Sequence, residues 1–129
     1  MDSQGNREKK ARRLAMSFVN AKNGIVDAIR NEPNLQIHTA AAAAAVIMGF
    51  LFSITTLEWI ILLLVIGGVL SLELMNTAVE RTVDLVTDEW LPLAKQAKDA
   101  AAGAVLIFSI IALMAGILIF GPKVLALLG

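Results

Sequence analysis

Three long apolar runs set the terms on which this chain can fold. One opens at about Thr39 and continues through an alanine tract to about Leu57. A second begins at Trp59 and is purely apolar to Leu72, and a third runs from about Ala100 to Leu128, interrupted late by Gly121-Pro122. A helix crossing the hydrocarbon core of a bilayer needs about 20 residues. The first and third runs meet that length; the second falls short if it ends at Glu73. It need not end there, because the stretch from Glu73 to Asp84 holds no Pro or Gly and keeps a helical rhythm. One long helix from Trp59 to about Val86 is expected, its lower part leaving the core or lining a polar cavity. The 129 residues are 57% apolar. A soluble domain this small exposes too much of its surface to bury that share, so the remaining apolar solvent is lipid. Gly67 and Gly68 fall in mid-span, where small residues allow close helix packing.

The segment before the first run is of another kind. Leu14, Phe18, Ala21, Ile25 and Ala28/Ile29 recur at spacings of three and four, while Arg12, Arg13, Lys22, Asp27 and Arg30 fill the other faces. That pattern predicts an amphipathic helix with a basic bias, suited to the membrane interface. Asn31-Glu32-Pro33-Asn34 should break it, since a residue before proline avoids the helical region. The expected fold is an all-α membrane protein of one domain: a surface helix over about 8–31 and spans over about 36–57, 59–86 and 97–121. Seven of the eleven Lys and Arg residues precede Pro33, and Lys95 and Lys98 lie between the second and third spans. The positive-inside rule then places the N-terminus and that link in the cytoplasm, with Trp59 and Trp90 near the interfaces. No cysteine is present, which excludes disulfides, thiolate metal sites and cysteine nucleophiles. The basic N-terminal stretch lacks the apolar region and cleavage site of a signal peptide. The net charge of zero says nothing by itself about partners; a membrane and a lipid, and no nucleic acid, are expected.

The chemistry concentrates on the middle span. Glu73, Asn76, Glu80 and Asp84 stand at i, i+3, i+7 and i+11. At about 100° per residue the three acids fall within roughly 40° of one another, with Asn76 about 60° to one side. Ionisable groups at membrane depth are costly and usually face a bundle interior or an aqueous cavity. Glu80 and Asp84 can also be read as solvated acids below the membrane, whereas Glu73 directly follows the apolar run. Glu32, at the break before the first span, would complete a carboxylate pair with Glu80 for Mg²⁺, which takes one or two carboxylates plus substrate phosphates. Lys95, Lys98 and Asp99 open the third span, and a lysine there is either a snorkelling anchor or a phosphate ligand. His38 heads the first span as a packed or interfacial polar residue, and Arg13 is placed to meet lipid headgroups. The chain has no GxxxxGK[ST] loop, no GxGxxG and no protein-kinase catalytic loop, so any ATP would be held without those devices.

The stretch Glu73-Leu-Met-Asn-Thr-Ala-Val-Glu80-Arg-Thr-Val-Asp84, followed by Ala94-Lys-Gln-Ala-Lys98-Asp99-Ala-Ala-Ala-Gly-Ala-Val, closely resembles the prokaryotic diacylglycerol kinase family. The signature of that family is E-x-x-N-[ST]-A-[IV]-E followed by a D, then A-K-D-x-x-[AS]-[AG]-A-V. Asn31-Glu32 matches as well, and the resemblance runs from about Arg13 to the end of the third span. The variant Leu72-Glu73-Leu, Thr82-Val-Asp84-Leu and Pro92-Leu-Ala-Lys95 forms look like the undecaprenol kinase branch, which recycles the lipid carrier of cell-wall synthesis. The resemblance implies a homotrimer in a prokaryotic cell membrane, with active sites shared between neighbouring subunits at the cytoplasmic interface. It implies Glu73 as catalytic base and Glu32 and Glu80 as ligands of the divalent ion. Asn76, Lys98 and Asp99 would contact nucleotide or phosphate with Asp84 near them, and Arg13 would help bind ATP. His38 and Ala102 depart from the diacylglycerol-preferring members, which carry an acid and a serine there, and this argues against assuming diacylglycerol as the substrate.

Such a lipid kinase would move the γ-phosphate of ATP to the hydroxyl of undecaprenol. Phosphoryl transfer asks mainly for positioning and for cations around the transferring group. The rival within the class is a diacylglycerol kinase making phosphatidic acid. A small ion-coupled transporter would place its polar groups at mid-membrane, whereas these acids gather at one boundary, and a non-catalytic adaptor has no use for this set of side chains.

Overall fold

A computed structural model of the protein describes residues 2–129, with side chains from residue 5 onward. Four helices follow one another: α1 (Asp2–Asn31), α2 (Pro33–Leu51), α3 (Thr56–Val86) and α4 (Pro92–Leu128). Three of them, α2, α3 and α4, are long and apolar enough to cross a membrane, so the chain is built as a multi-pass membrane protein. α1 begins earlier than the expected residue 8, since no proline precedes Pro33 to stop it.

The break between α1 and α2 falls where the sequence places it. Glu32 is extended, at φ −108° and ψ 108°, with Pro33 at the first helical position. The elbow is held from both sides. Glu32 N–H donates to the Ala28 carbonyl at 2.8 Å and Gln36 N–H to the Glu32 carbonyl at 3.1 Å. Ala28 and Leu35, which flank it, are buried.

The first span stops at Leu51, well before the expected residue 57. The stop is chemical rather than hydrophobic. Ser53 N–H donates to the Phe50 carbonyl at 3.2 Å and Ile54 N–H to the Gly49 carbonyl at 3.1 Å, the paired bonds of a Schellman motif. Ser53 supplies the left-handed residue, at φ 49°, where glycine is the usual choice. α3 then starts at Thr56 rather than Trp59, because Thr55 and Glu58 form a capping box: Glu58 N–H donates to Thr55 Oγ1 at 3.3 Å and Thr55 N–H to Glu58 Oε2 at 2.7 Å. Its 31 residues span about 46 Å at 1.5 Å per residue, against a hydrocarbon core of about 30 Å. The last turns of α3, which carry the acids, therefore project beyond the core.

The third span begins at Pro92, ahead of the expected residue 97, and Pro122 does not end it. Proline removes the N–H that would bond the Leu118 carbonyl. One residue on, the Lys123 ammonium donates to the Ile119 carbonyl at 3.2 Å and to Glu58 Oε1 at 2.6 Å. This clamp ties the first turn of α3 to the last turns of α4. Beside it lies the apolar core, Ile54, Leu62, Ile119 and Phe120, with Trp59 and Met48 packed against it. A Cβ on Gly49 would lie 2.6 Å from the Trp59 ring, and the Phe50 and Trp59 rings meet at a 54° tilt with centroids 4.9 Å apart.

Of the two mid-span glycines, Gly68 packs as expected: a Cβ there would overlap the Phe108 ring of α4, whereas Gly67 meets nothing within the chain. The most apolar windows of α2, α3 and α4 are only 11%, 22% and 17% buried. The chain thus covers little of its own apolar surface and leaves the rest to lipid or to a second copy.

Gly68→Ala should lower stability by about 1–3 kcal/mol through overpacking. In the Phe108→Ala background the same change should cost much less, because the two sites are in contact. Unfolding in detergent reads both; a neutral Gly68→Ala would contradict the close approach of α3 and α4.

Candidate active site

The polar residues collect at the end of the bundle opposite the Trp59 core. α3 carries them because its pattern is apolar from Trp59 to Leu70 and admits polar residues in every turn from Glu73 onward. Glu73, Asn76 and Thr77 are the buried polar residues among those described, at 4%, 6% and 6% exposure. Glu73 Oε1 lies 3.2 Å from Nε2 of His38, which comes across from α2. Asn76 donates through Nδ2 to Glu80 Oε1 at 3.2 Å, and its own carbonyl oxygen is buried with no partner. Thr77 escapes the sequence reading, although it stands one turn beyond Glu73 and so shares its side of the helix.

The lower part of the stripe departs from this buried set. Asp84 is exposed and pairs with Lys98 of α4 at 2.5 Å. Asp99 pairs with Lys95 within α4. The structure therefore brings Glu73, Asn76 and Glu80 together, sets Asp84 and Lys98 side by side below them, and keeps Asp99 with its own helical neighbour.

Glu32 is reached by a residue the sequence reading did not single out. Arg81 donates to Glu32 Oε1 at 2.9 Å and to Asp27 Oδ2 at 2.6 Å, so one guanidinium bridges the elbow of α1 and α2 to α3. Its planar fork suits two carboxylates at once. Its partners stand 49 and 54 residues away in sequence, and no local spacing announces them. Arg13 is not brought to this cluster. It sits on exposed α1 beside Lys9, Arg12 and Asn20, and along a helix the 18 steps to Asn31 amount to about 27 Å.

Among the described residues, no three of His, Cys, Asp and Glu converge as a metal cage. Mg²⁺ asks for less, since water and substrate phosphates fill most of its octahedron. The donors on α3 fit it: Glu80 gives only Oε1 to Asn76, and the orphaned Asn76 carbonyl is a hard oxygen on the same side. Glu32 is committed to Arg81 here and would have to share its carboxylate. Together the cluster offers carboxylates of different exposure, an oxygen-rich cation position and, one turn below, a lysine for anionic groups.

The sequence profile described as "Prokaryotic diacylglycerol kinase" matches residues 19–120. The chain belongs to that family. Among relatives, it is 54% identical to "Undecaprenol kinase" of Bacillus subtilis (strain 168) over 123 residues, covering 95% of this chain and 99% of that one. It is 38% identical to "Diacylglycerol kinase" of Synechocystis sp. over 116 residues, 89% of this chain and 66% of that one. It is 31% identical to "Diacylglycerol kinase" of Helicobacter pylori (strain ATCC 700392 / 26695), over 90% of this chain and 88% of that protein. In this prokaryotic diacylglycerol kinase family member the matched segment takes in Glu32, His38, all of the α3 acids, Lys98 and Asp99, and leaves out Arg13.

Arg81→Gln should free the C-terminal half of α1 from α3. Trypsin should then cut faster after Lys22 and Arg30, while the global unfolding transition scarcely moves, because exposed ion pairs contribute little to overall stability. Unchanged cleavage would show that the bridge does not hold α1.

Proposed function

We propose that this protein is an integral-membrane lipid kinase that transfers the γ-phosphate of ATP to the hydroxyl of undecaprenol, giving undecaprenyl phosphate. What carries the reading is the buried Glu73 carboxylate at the polar end of a membrane helix, where a lipid hydroxyl and a water-borne nucleotide can meet. The choice of lipid is supported by the 54% identity with an undecaprenol kinase over nearly the full length of both chains. The relatives called diacylglycerol kinase are less similar, at 38% and 31%; they keep diacylglycerol as the second reading.

Glu73 takes the proton of the lipid hydroxyl while the hydroxyl oxygen bonds to the γ-phosphorus. The bond from that phosphorus to the β-γ bridging oxygen breaks, and its electron pair leaves with ADP. The proton later passes from Glu73 to water. Glu32 and Glu80 would hold Mg²⁺, which when bound neutralises charge on the nucleotide phosphates. Asn76, Lys98 and Asp99 contact nucleotide or phosphate, and Asp84 keeps Lys98 in place through their ion pair.

Arg13 is read as an ATP contact. Its distance from the elbow within one chain fits a homotrimer in which a neighbouring subunit brings it to the site. The many exposed apolar side chains of the spans, Ile47, Leu64, Leu113 and Leu118 among them, also fit such an assembly. α1 carries seven of the eleven Lys and Arg residues, and the first turns of α4 carry Lys95 and Lys98, which supports a prokaryotic cell membrane with both on the cytoplasmic side.

Glu73→Gln should leave an assembled protein whose kcat is lower by about 10²–10⁴, the usual contribution of a general base. Activity near wild type would remove Glu73 from the mechanism. Assayed side by side in mixed micelles, a short-chain polyprenol should be phosphorylated faster than diacylglycerol; the reverse order would assign the second reading.

A further inference from the structure

The reading of Glu73 as the base leaves one question open: what holds that carboxylate. An unpaired carboxylate at membrane depth is costly, and Glu73 has its side chain only 5% exposed. The neighbouring cations and the Asn76 amide are committed elsewhere. The Asn76 amide donates to Glu80, Lys98 is paired with Asp84, and Arg81 is shared by Asp27 and Glu32. Among the described residues the one basic group within reach is His38, with Nε2 at 3.2 Å from Oε1.

His38 also has a second surface. It lies at one end of an apolar groove of about 780 Å³ between α2, α3 and α4, and it is the only ionisable residue lining it; Met48, Val65, Val69, Ile117 and Phe120 are typical of the rest. The imidazole thus stands where apolar surface gives way to the carboxylate, with one edge toward each.

We propose that His38 is a positioning residue for Glu73. Resting on the reading of Glu73 as the base, it anchors Oε1 and so turns Oε2 toward the lipid hydroxyl. The proton that moves leaves the lipid oxygen for Glu73. The two neighbours of His38 explain why a histidine suits the place. A ring this size packs against the groove while one nitrogen faces the carboxylate, and a lysine or arginine would carry a permanent charge into apolar surroundings.

The test uses the assembled protein in mixed micelles with a short-chain polyprenol and ATP. Two variants of similar bulk are compared: His38→Gln, which keeps an N–H for Oε1, and His38→Met, which does not. His38→Met should lower kcat by roughly 10- to 100-fold, less than loss of the base itself, with KM for ATP changed by less than about twofold. His38→Gln should recover most of that loss. In a Glu73→Gln background the two His38 variants should be alike, since there is no carboxylate left to position.

A His38→Met enzyme with wild-type kcat would overturn the proposal, as would equal impairment of the Met and Gln variants. So would a His38→Met effect that persists undiminished in the Glu73→Gln background. The underlying reading fails separately: a fully active Glu73→Gln enzyme removes the base whatever His38 does, whereas an inactive Glu73→Gln with a fully active His38→Met removes only the positioning role.

Discussion

A carboxylate carried into a membrane helix must find a partner there or be excluded, because hydrocarbon offers no water to solvate it. Glu73 imposes this condition on the rest of the molecule. It requires α2 to pass close enough for His38 to reach Oε1. It requires α3 to continue past the apolar run, so that Asn76 and Glu80 follow it on the same side and the last turns reach water. It also leaves the neighbouring cations to be distributed among the remaining acids. Arg81 takes Asp27 and Glu32, and Lys98 takes Asp84, and these two assignments join α1 and α4 to the acid-bearing end of α3.

The parts of the fold readable from the sequence are those governed by local rules. Apolar length gives three spans, and the three-and-four spacing gives α1. Proline after Glu32 gives the elbow. The errors fall at helix ends. α2 was expected to run on to residue 57 because Phe52 and Ile54 are apolar, yet Ser53 in a left-handed conformation turns the chain there. Hydropathy is blind to that turn. The Thr55–Glu58 capping box, by contrast, has a recognisable spacing, and it was open to reading beneath the hydrophobic pattern. Gly121-Pro122 reads as an interruption in the sequence; Lys123 and Glu58 support the helix beyond it through a contact 65 residues apart in sequence.

The candidate site was legible to the extent that it lies on one helix. Helical spacing alone groups Glu73, Asn76 and Glu80. It does not show that Asp84 belongs with Lys98, that Asp99 turns to Lys95, or that Arg81 occupies Glu32, because each of these pairings is made by an ammonium or guanidinium choosing among several nearby acids. Nor does it bring Arg13 near the others, which the length of α1 sets far from the elbow. The family match covers Glu32, the α3 acids, Lys98 and Asp99 and leaves out Arg13; the roles proposed for them go beyond what spacing can group.

The two ends of the bundle are fastened by different forces. At the Trp59 end, a close-packed set of rings and aliphatic groups surrounds the turn between α2 and α3, with the Glu58–Lys123 clamp beside it. At the Glu73 end, buried Ala28 and Leu35 flank the elbow, and ion pairs of Arg81 and Lys98 make polar connections across helices. Added salt screens such pairs and leaves hydrocarbon packing almost untouched. Ionic strength therefore weighs more on the Glu73 end, where the ion pairs of Arg81 and Lys98 cross between helices, than on the aromatic end, where the Glu58–Lys123 pair stands beside close apolar packing.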